Sequence, residues 1–135
     1  MMIKVAIVDD KRLNRLNRAE ELSYSKIITV AFTAQNGEEA LLYFNTLKYN
    51  KAKTVKKPQL IFLDLNMPVM GGWEFLDYFT SPAYDEFNSV NVIVLSSTIN
   101  PEDLLKAKKY PIIKDFLSKP ITKAMLEYLK NKMDL

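Results

Sequence analysis

The 135-residue sequence predicts an α/β fold, a doubly wound parallel sheet of five strands with helices on both faces. Two observations carry this expectation. Segments patterned as strands alternate with segments patterned as helices five times along the chain. The third and fourth strand segments, "QLIFLDL" and "VNVIVLSS", are apolar almost throughout, as required where both faces of a sheet are covered.

Each element has its own signal. "IKVAIV", residues 3–8, is an apolar strand interrupted only at Lys4. "VDDKRLNRLNRAEEL" then opens a helix that Asp9 or Asp10 can cap, with Leu13, Leu16, Ala19 and Leu22 as its inner stripe. "KIITVAFTA" over 26–34 is the second strand. "NGEEALLYFNTLK" is the second helix, with Asn36 as cap and Ala40, Phe44 and Leu47 facing inward. A lysine-rich stretch and Pro58 lead into the third strand. Gly71 and Gly72 precede the third helix, "WEFLDYF", and "TSPAYDEFNS" reads as loop. After the fourth strand, "NPEDLLKAKKY" is the fourth helix, because Pro101 suits a first helical position. "DFLSKP" contains a short fifth strand. "TKAMLEYLKNKM" is the last helix, with Met125, Leu126, Leu129 and Met133 inward. No repeat or low-complexity tract interrupts the pattern, so residues 1–135 are expected to form one domain.

Composition narrows the chemistry. Hydrophobic residues make up 48% and charged residues 26%, which suits a folded, soluble core. No apolar run approaches about 18 residues, so no membrane span is expected. The N-terminus turns acidic too soon for a secretory signal, and a cytoplasmic location is expected. The chain has no cysteine, which excludes disulfides, thiol nucleophiles and Cys-ligated zinc. It has no histidine, which excludes a Ser-His-Asp triad, an imidazole base or a His-ligated metal within this chain. The net charge of +3 concentrates in "KYNKAKTVKK", with Lys48, Lys51, Lys53, Lys56 and Lys57. That stretch lacks arginine and reads as a solvated loop, so no nucleic-acid partner is expected.

In a doubly wound sheet the functional crevice lies at the carboxyl ends of the strands. The first strand ends in Asp9 and Asp10, the third in Asp64, the fourth in Ser96 and Ser97, and the fifth in Lys119. Right-handed crossovers bring these ends to one edge. Taken singly, Asp9 or Asp10 is an ordinary helix cap, Asp64 an ordinary turn residue, Ser96 a loop residue and Lys119 a solvated strand end. Their coincidence at four of five strand ends is what informs. Three acids in one place repel and raise one another's pKa values unless a cation intervenes. Mg²⁺ is the natural candidate, being hard and partial to carboxylate, water and phosphate oxygens. Lys119 can hold a further anionic oxygen, and a serine hydroxyl can donate to another. Asp64 is then placed to act as a nucleophile, through an aspartyl phosphate.

"VDD" at 8–10, "DLNMPVMGG" at 64–72, "VLSS" at 94–97 and "SKP" at 118–120 match, in order, spacing and strand position, the receiver domain of two-component response regulators. The sequence resembles that family over essentially its whole length. The resemblance implies a flavodoxin-like five-stranded parallel sheet in the order 2-1-3-4-5. It implies that Asp64 accepts a phosphoryl group in an Mg²⁺-dependent reaction. Asp10 would ligate the ion directly, Asp9 largely through water, and Asn66 through its backbone carbonyl, with Asp64 completing the set. Ser96 would supply the hydroxyl that moves to the phosphoryl group and Lys119 the cation that pairs with it, and the Lys119–Pro120 bond is typically cis in the family. Phe116 takes the aromatic switch position, where relatives often carry tyrosine. The family further implies a sensor histidine kinase or phosphotransfer protein upstream and a protein target downstream. Because the sequence stops about one helix after Lys119, a stand-alone receiver without an output domain is expected. It would act as a phosphoacceptor that catalyses its own phosphoryl transfer and dephosphorylation. Its contacts, including those of a homodimer, would run through the face of the fourth helix, fifth strand and last helix, where Leu104, Leu105, Tyr110 and Tyr128 are candidates. Three alternatives compete with this reading. An aspartate-nucleophile phosphohydrolase wants a second acid two residues after the nucleophile, where this chain has Asn66. A flavin-binding relative wants a phosphate-accepting loop after the first strand, where this chain has Asp9 and Asp10. A receiver-shaped interaction module that is never phosphorylated is the remaining alternative.

Overall fold

The computed structural model describes residues 3–11, 28–49, 57–119 and 121–133. Five strands form one parallel sheet: β1 (Ile3–Val8), β2 (Ile28–Ala34), β3 (Leu60–Asp64), β4 (Asn91–Ser96) and β5 (Ile113–Ser118). Their spatial order is β2-β1-β3-β4-β5, the order expected from the sequence motifs. The described helices are α1 (Gly37–Tyr49), α2 (Gly72–Phe79), α3 (Pro101–Ala107) and α4 (Lys123–Lys132). The helix expected after β1, with its stripe from Leu13 to Leu22, lies outside the described residues.

Alternation along the buried strands splits the core into two layers. Ala6, Val8, Ile61, Leu63, Val92 and Val94 face one side, where Phe44 of α1 and Phe75, Leu76 and Phe79 of α2 cover them. Val5, Ile7, Leu60, Phe62, Ile93 and Leu95 face the other, against Leu126 and Leu129 of α4. Three described helix starts carry side-chain caps, of which Asn36 was the one expected from the sequence. Asn36 accepts from the Glu39 backbone N–H at 2.9 Å, Asn100 from that of Glu102 at 2.9 Å, and Thr122 from that of Met125 at 3.1 Å. Met125 and Met133, expected inward, are only half-buried.

The structure corrects the sequence reading in three places. The segment expected as loop over 80–89 contains a 3₁₀ helix, Pro82–Phe87. Phe87 anchors it, 2% exposed and 4.9 Å from the ring of Phe44. Two lysines of the basic stretch brace it: Lys48 donates to the Ala83 carbonyl and Lys57 to that of Glu86. These lysines thus act as backbone caps between two segments remote in sequence. Lys51, Lys53 and Lys56 lie outside the described residues. The fourth helix ends at Ala107 instead of reaching Tyr110, which precedes Pro111 and is therefore disfavoured in a helix. The fifth strand begins at Ile113, two residues before the expected start, because the Val92 N–H bonds to the Ile112 carbonyl and holds this segment to β4.

Candidate functional site

The carboxyl edge of the sheet gathers the residues that the motifs single out. β1 runs directly into Asp9 and Asp10, and β3 ends on Asp64. One carboxylate oxygen from each of these acids lies within 4.8 Å of the others. Asp9 is the deepest, at 2% exposure. Lys119 reaches in from the end of β5. Its backbone N–H donates to the Ser96 carbonyl at 2.9 Å, which ties the ends of β4 and β5 together. Its ammonium lies 3.1 Å from Asp9 Oδ2 and 3.7 Å from Asp64 Oδ1. The second oxygen of Asp9 accepts from the Lys11 N–H at 2.9 Å, so this side chain serves both the site and the turn after β1.

Asp64 feels conflicting forces. Burial pushes its carboxyl up, and the neighbouring charges of Asp9 and Asp10 push the same way. The Lys119 ammonium and the backbone N–H of Asn66 pull it down. The balance leaves it at about 6, against an ordinary 3.8. The Asn66 backbone therefore touches the Asp64 carboxylate through its N–H.

The loop after Asp64 is held by close packing. The Gly72 N–H returns to the Leu65 carbonyl at 2.9 Å, and a Cβ on Gly72 would sit 2.7 Å from the Asp64 carbonyl oxygen. Only a residue without a side chain lets α2 begin so close to the strand that carries Asp64. Gly37 docks on the same loop from α1: its N–H bonds to the Met70 carbonyl at 2.9 Å, and a Cβ there would meet Phe75 Cβ at 2.8 Å. The role of Gly37 was not legible in the sequence, where it passes as an ordinary first helical residue. Between these glycines, Val69 holds φ at 69°, an unusual conformation for a β-branched side chain.

Ser96 ends β4 beside Ser118. Its hydroxyl donates to the Thr98 carbonyl and accepts from the Thr98 N–H at 3.3 Å, so it is engaged within its own loop. Phe116 lies beside Val94, half-buried against the same core layer as Trp73 and Tyr110. Tyr110, expected to be available to a partner, is instead bonded to Asp77 through its hydroxyl at 2.6 Å. Tyr128 is 48% exposed and donates to Asp115 at 2.9 Å. Pro120, with its peptide bond to Lys119, lies outside the described residues.

Three clustered carboxylates supply the hard oxygen donors and the negative charge that Mg²⁺ prefers, so the residues present fit such an ion. Lys119 adds a positive group on the Asp9 and Asp64 side of the cluster, suited to an incoming anionic oxygen. Three carboxylates and one ammonium thus converge at the carboxyl edge of the sheet.

The chain is similar to known proteins. A family model described as the response regulator receiver domain matches residues 5–129. The transcriptional regulatory protein LnrK of Bacillus subtilis is 31% identical over 129 residues, covering 93% of this chain and 53% of that protein. A protein-glutamate methylesterase/protein-glutamine glutaminase of the same organism is 34% identical over 140 residues, covering 99% of this chain and 34% of that protein. The chain thus spans a third to about half the length of these relatives. Among solved structures, a two-component response regulator from Cytophaga hutchinsonii superposes with a TM-score of 0.83 at 26% identity, covering 98% of this chain and 96% of that one. A chemotaxis protein of Vibrio cholerae superposes with a TM-score of 0.71 at 26% identity, covering 97% and 98%. Sequence model, strand order and structural neighbours agree, and the chain belongs to the response regulator receiver domain family of two-component systems.

Proposed function

We propose that this chain is a phosphoacceptor switch in which Asp64 takes a phosphoryl group from a histidine kinase or phosphotransfer protein. The observation that carries the reading is the convergence of Asp9, Asp10 and Asp64 within 4.8 Å, with the Lys119 ammonium against two of them. Receiver domains generally hold Mg²⁺ at such an acidic pocket. Here Asp10 and Asp64, the Asn66 carbonyl and, through water, Asp9 would hold it, and it would supply charge neutralisation for the phosphoryl oxygens. An Asp64 carboxylate oxygen attacks phosphorus, the P–N bond to the donor imidazole breaks, and its electron pair leaves with that nitrogen. Lys119 stabilises the charge carried by the transferred group. Ser96 then exchanges its Thr98 partner for a phosphoryl oxygen, and Phe116 follows it inward. The signal leaves by protein contact, through the face of α3, β5 and α4, to a downstream target or a second copy of the chain. On this reading the chain is a cytoplasmic receiver whose own chemistry is the making and breaking of its acyl phosphate. No described helix is long and apolar enough to cross a membrane. Asn66 disfavours a phosphohydrolase, because an amide cannot titrate as the second acid.

Labelling with acetyl phosphate, or uptake of beryllium fluoride, tests the reading. We expect labelling to require Mg²⁺, to vanish in EDTA and to vanish in Asp64→Asn. Labelling that survives either change would move the acceptor or the mechanism elsewhere.

A further inference from the structure

Helix α3 buries none of its seven residues. So short a helix has little stability of its own and needs external attachment. Its described side-chain tie to α2 is a four-member clasp. The Lys106 ammonium lies 4.9 Å from the centre of the Trp73 ring. That ring stacks on Tyr110, with centroids 5.4 Å apart and planes 29° from parallel. The Tyr110 hydroxyl donates to Asp77 Oδ1 at 2.6 Å. Lys106 and Tyr110 belong to α3 and the turn after it, while Trp73 and Asp77 belong to α2. The clasp therefore joins two elements that no shared core residue of α3 holds together.

Its two sides connect to different parts of the site. Trp73 follows Gly72, whose missing side chain presses the start of α2 onto the Asp64 carbonyl. Lys106 and Tyr110 are reached through the loop that begins at Ser96, whose hydroxyl is held by Thr98. Any rearrangement of the Ser96 loop toward Asp64 moves α3 relative to α2. A 2.6 Å hydrogen bond and a ring stack do not survive much relative displacement.

We propose that the Lys106–Trp73–Tyr110–Asp77 clasp holds α3 and the loop before it in their resting place, and that it opens when the Asp64 carboxylate is modified. The opening half rests on the phosphoacceptor reading; the holding half does not. Loss of the clasp lowers the stability of the resting arrangement and so favours the modified one, a population shift read as tighter uptake of the analogue.

Two variants test it without touching the acids: Tyr110→Phe, which keeps the ring and deletes the donor, and Lys106→Met, which keeps length and deletes the charge. In resting protein without metal, we expect amide exchange over 97–110 to accelerate about fivefold in each, with β3 amides unchanged. Unchanged exchange over 97–110, or equal acceleration in β3, overturns the holding half. With Mg²⁺, we expect beryllium fluoride to change the emission of Trp73, the single tryptophan of the chain, and to bind Tyr110→Phe about fivefold more tightly than wild type. Equal or weaker binding by Tyr110→Phe overturns the opening half. If wild type takes up no analogue, the phosphoacceptor reading and the opening half fall together, and the exchange result alone decides the holding half.

Discussion

At the scale of single residues, Asp64 is where chemistry and stability conflict. Its carboxyl stands near 6 in the folded chain, raised first by burial and then by Asp9 and Asp10. The ordinary value is 3.8, so between these two values the folded chain holds a proton that the unfolded chain releases. Stability therefore falls as pH rises through that window, and the penalty is complete above it. Asp64→Asn keeps the shape and removes the charge. In EDTA we expect it to stabilise the protein at pH 7 by about 1–2 kcal/mol, discounted for partial solvation of the site. The gain should disappear near pH 4, where the native carboxyl is already neutral. Thermal melts of both proteins at the two pH values check this; a gain of equal size at both would mean that ionisation is not the cause. Asp64, Ser96 and Lys119 were visible in the sequence because each ends a strand whose fold-mates end beside it. The Asn66 N–H on Asp64 and the Thr98 backbone on Ser96 were not, because the direction of a main-chain hydrogen bond depends on a loop path that side-chain identity does not specify.

At the scale of elements, apolar runs and caps marked most strands and helices, and the failures share a cause. The 82–87 segment has no helical stripe; it is held by Phe87 in the core and by Lys48 and Lys57 from outside. The early end of α3 reflects Pro111 together with Asp77, which lies 33 residues away from Tyr110 in sequence. Contacts at such separation leave no local pattern. If the 80–89 segment is core and not a loop, Phe87→Ala should cost about 3–5 kcal/mol in urea unfolding. A loss under about 1 kcal/mol would return the segment to a tolerant surface loop. In β5, Phe116 is half-buried against the same core layer as Trp73 and Tyr110. We expect Phe116→Ala to bind beryllium fluoride yet lose the change in self-association or partner binding that activation produces in wild type, measured by sedimentation and a binding assay. A mutant that responds like wild type in both would make Phe116 a fixed core residue.

At the scale of the whole molecule, the parallel sheet separates two jobs along the strand direction. Chemistry sits at the carboxyl ends, where Asp9, Asp10, Asp64 and Lys119 converge. The braced aromatic cluster of Phe44, Phe79, Tyr84 and Phe87 sits toward the amino ends. Phe87→Ala should accordingly leave beryllium fluoride affinity within about twofold of wild type under conditions where it remains folded. A larger change would show that the two ends communicate.

The seating of Gly37 and Gly72 against the Asp64 loop has a consequence for how the sequence can vary. A Cβ at either position meets atoms at 2.7–2.8 Å, one of them main chain, so there is little room for an accommodating shift. The acids, by contrast, repel one another in the resting state. A library of every single substitution, sorted once for cellular abundance and once for phosphoryl labelling, should split accordingly. Neutral replacements of Asp10 and Asp64 should persist in the first sort and vanish from the second. Replacements of the two glycines should be depleted already in the first. Positions lost at different rounds would then distinguish the frame that presents the acceptor from the charge that makes it reactive.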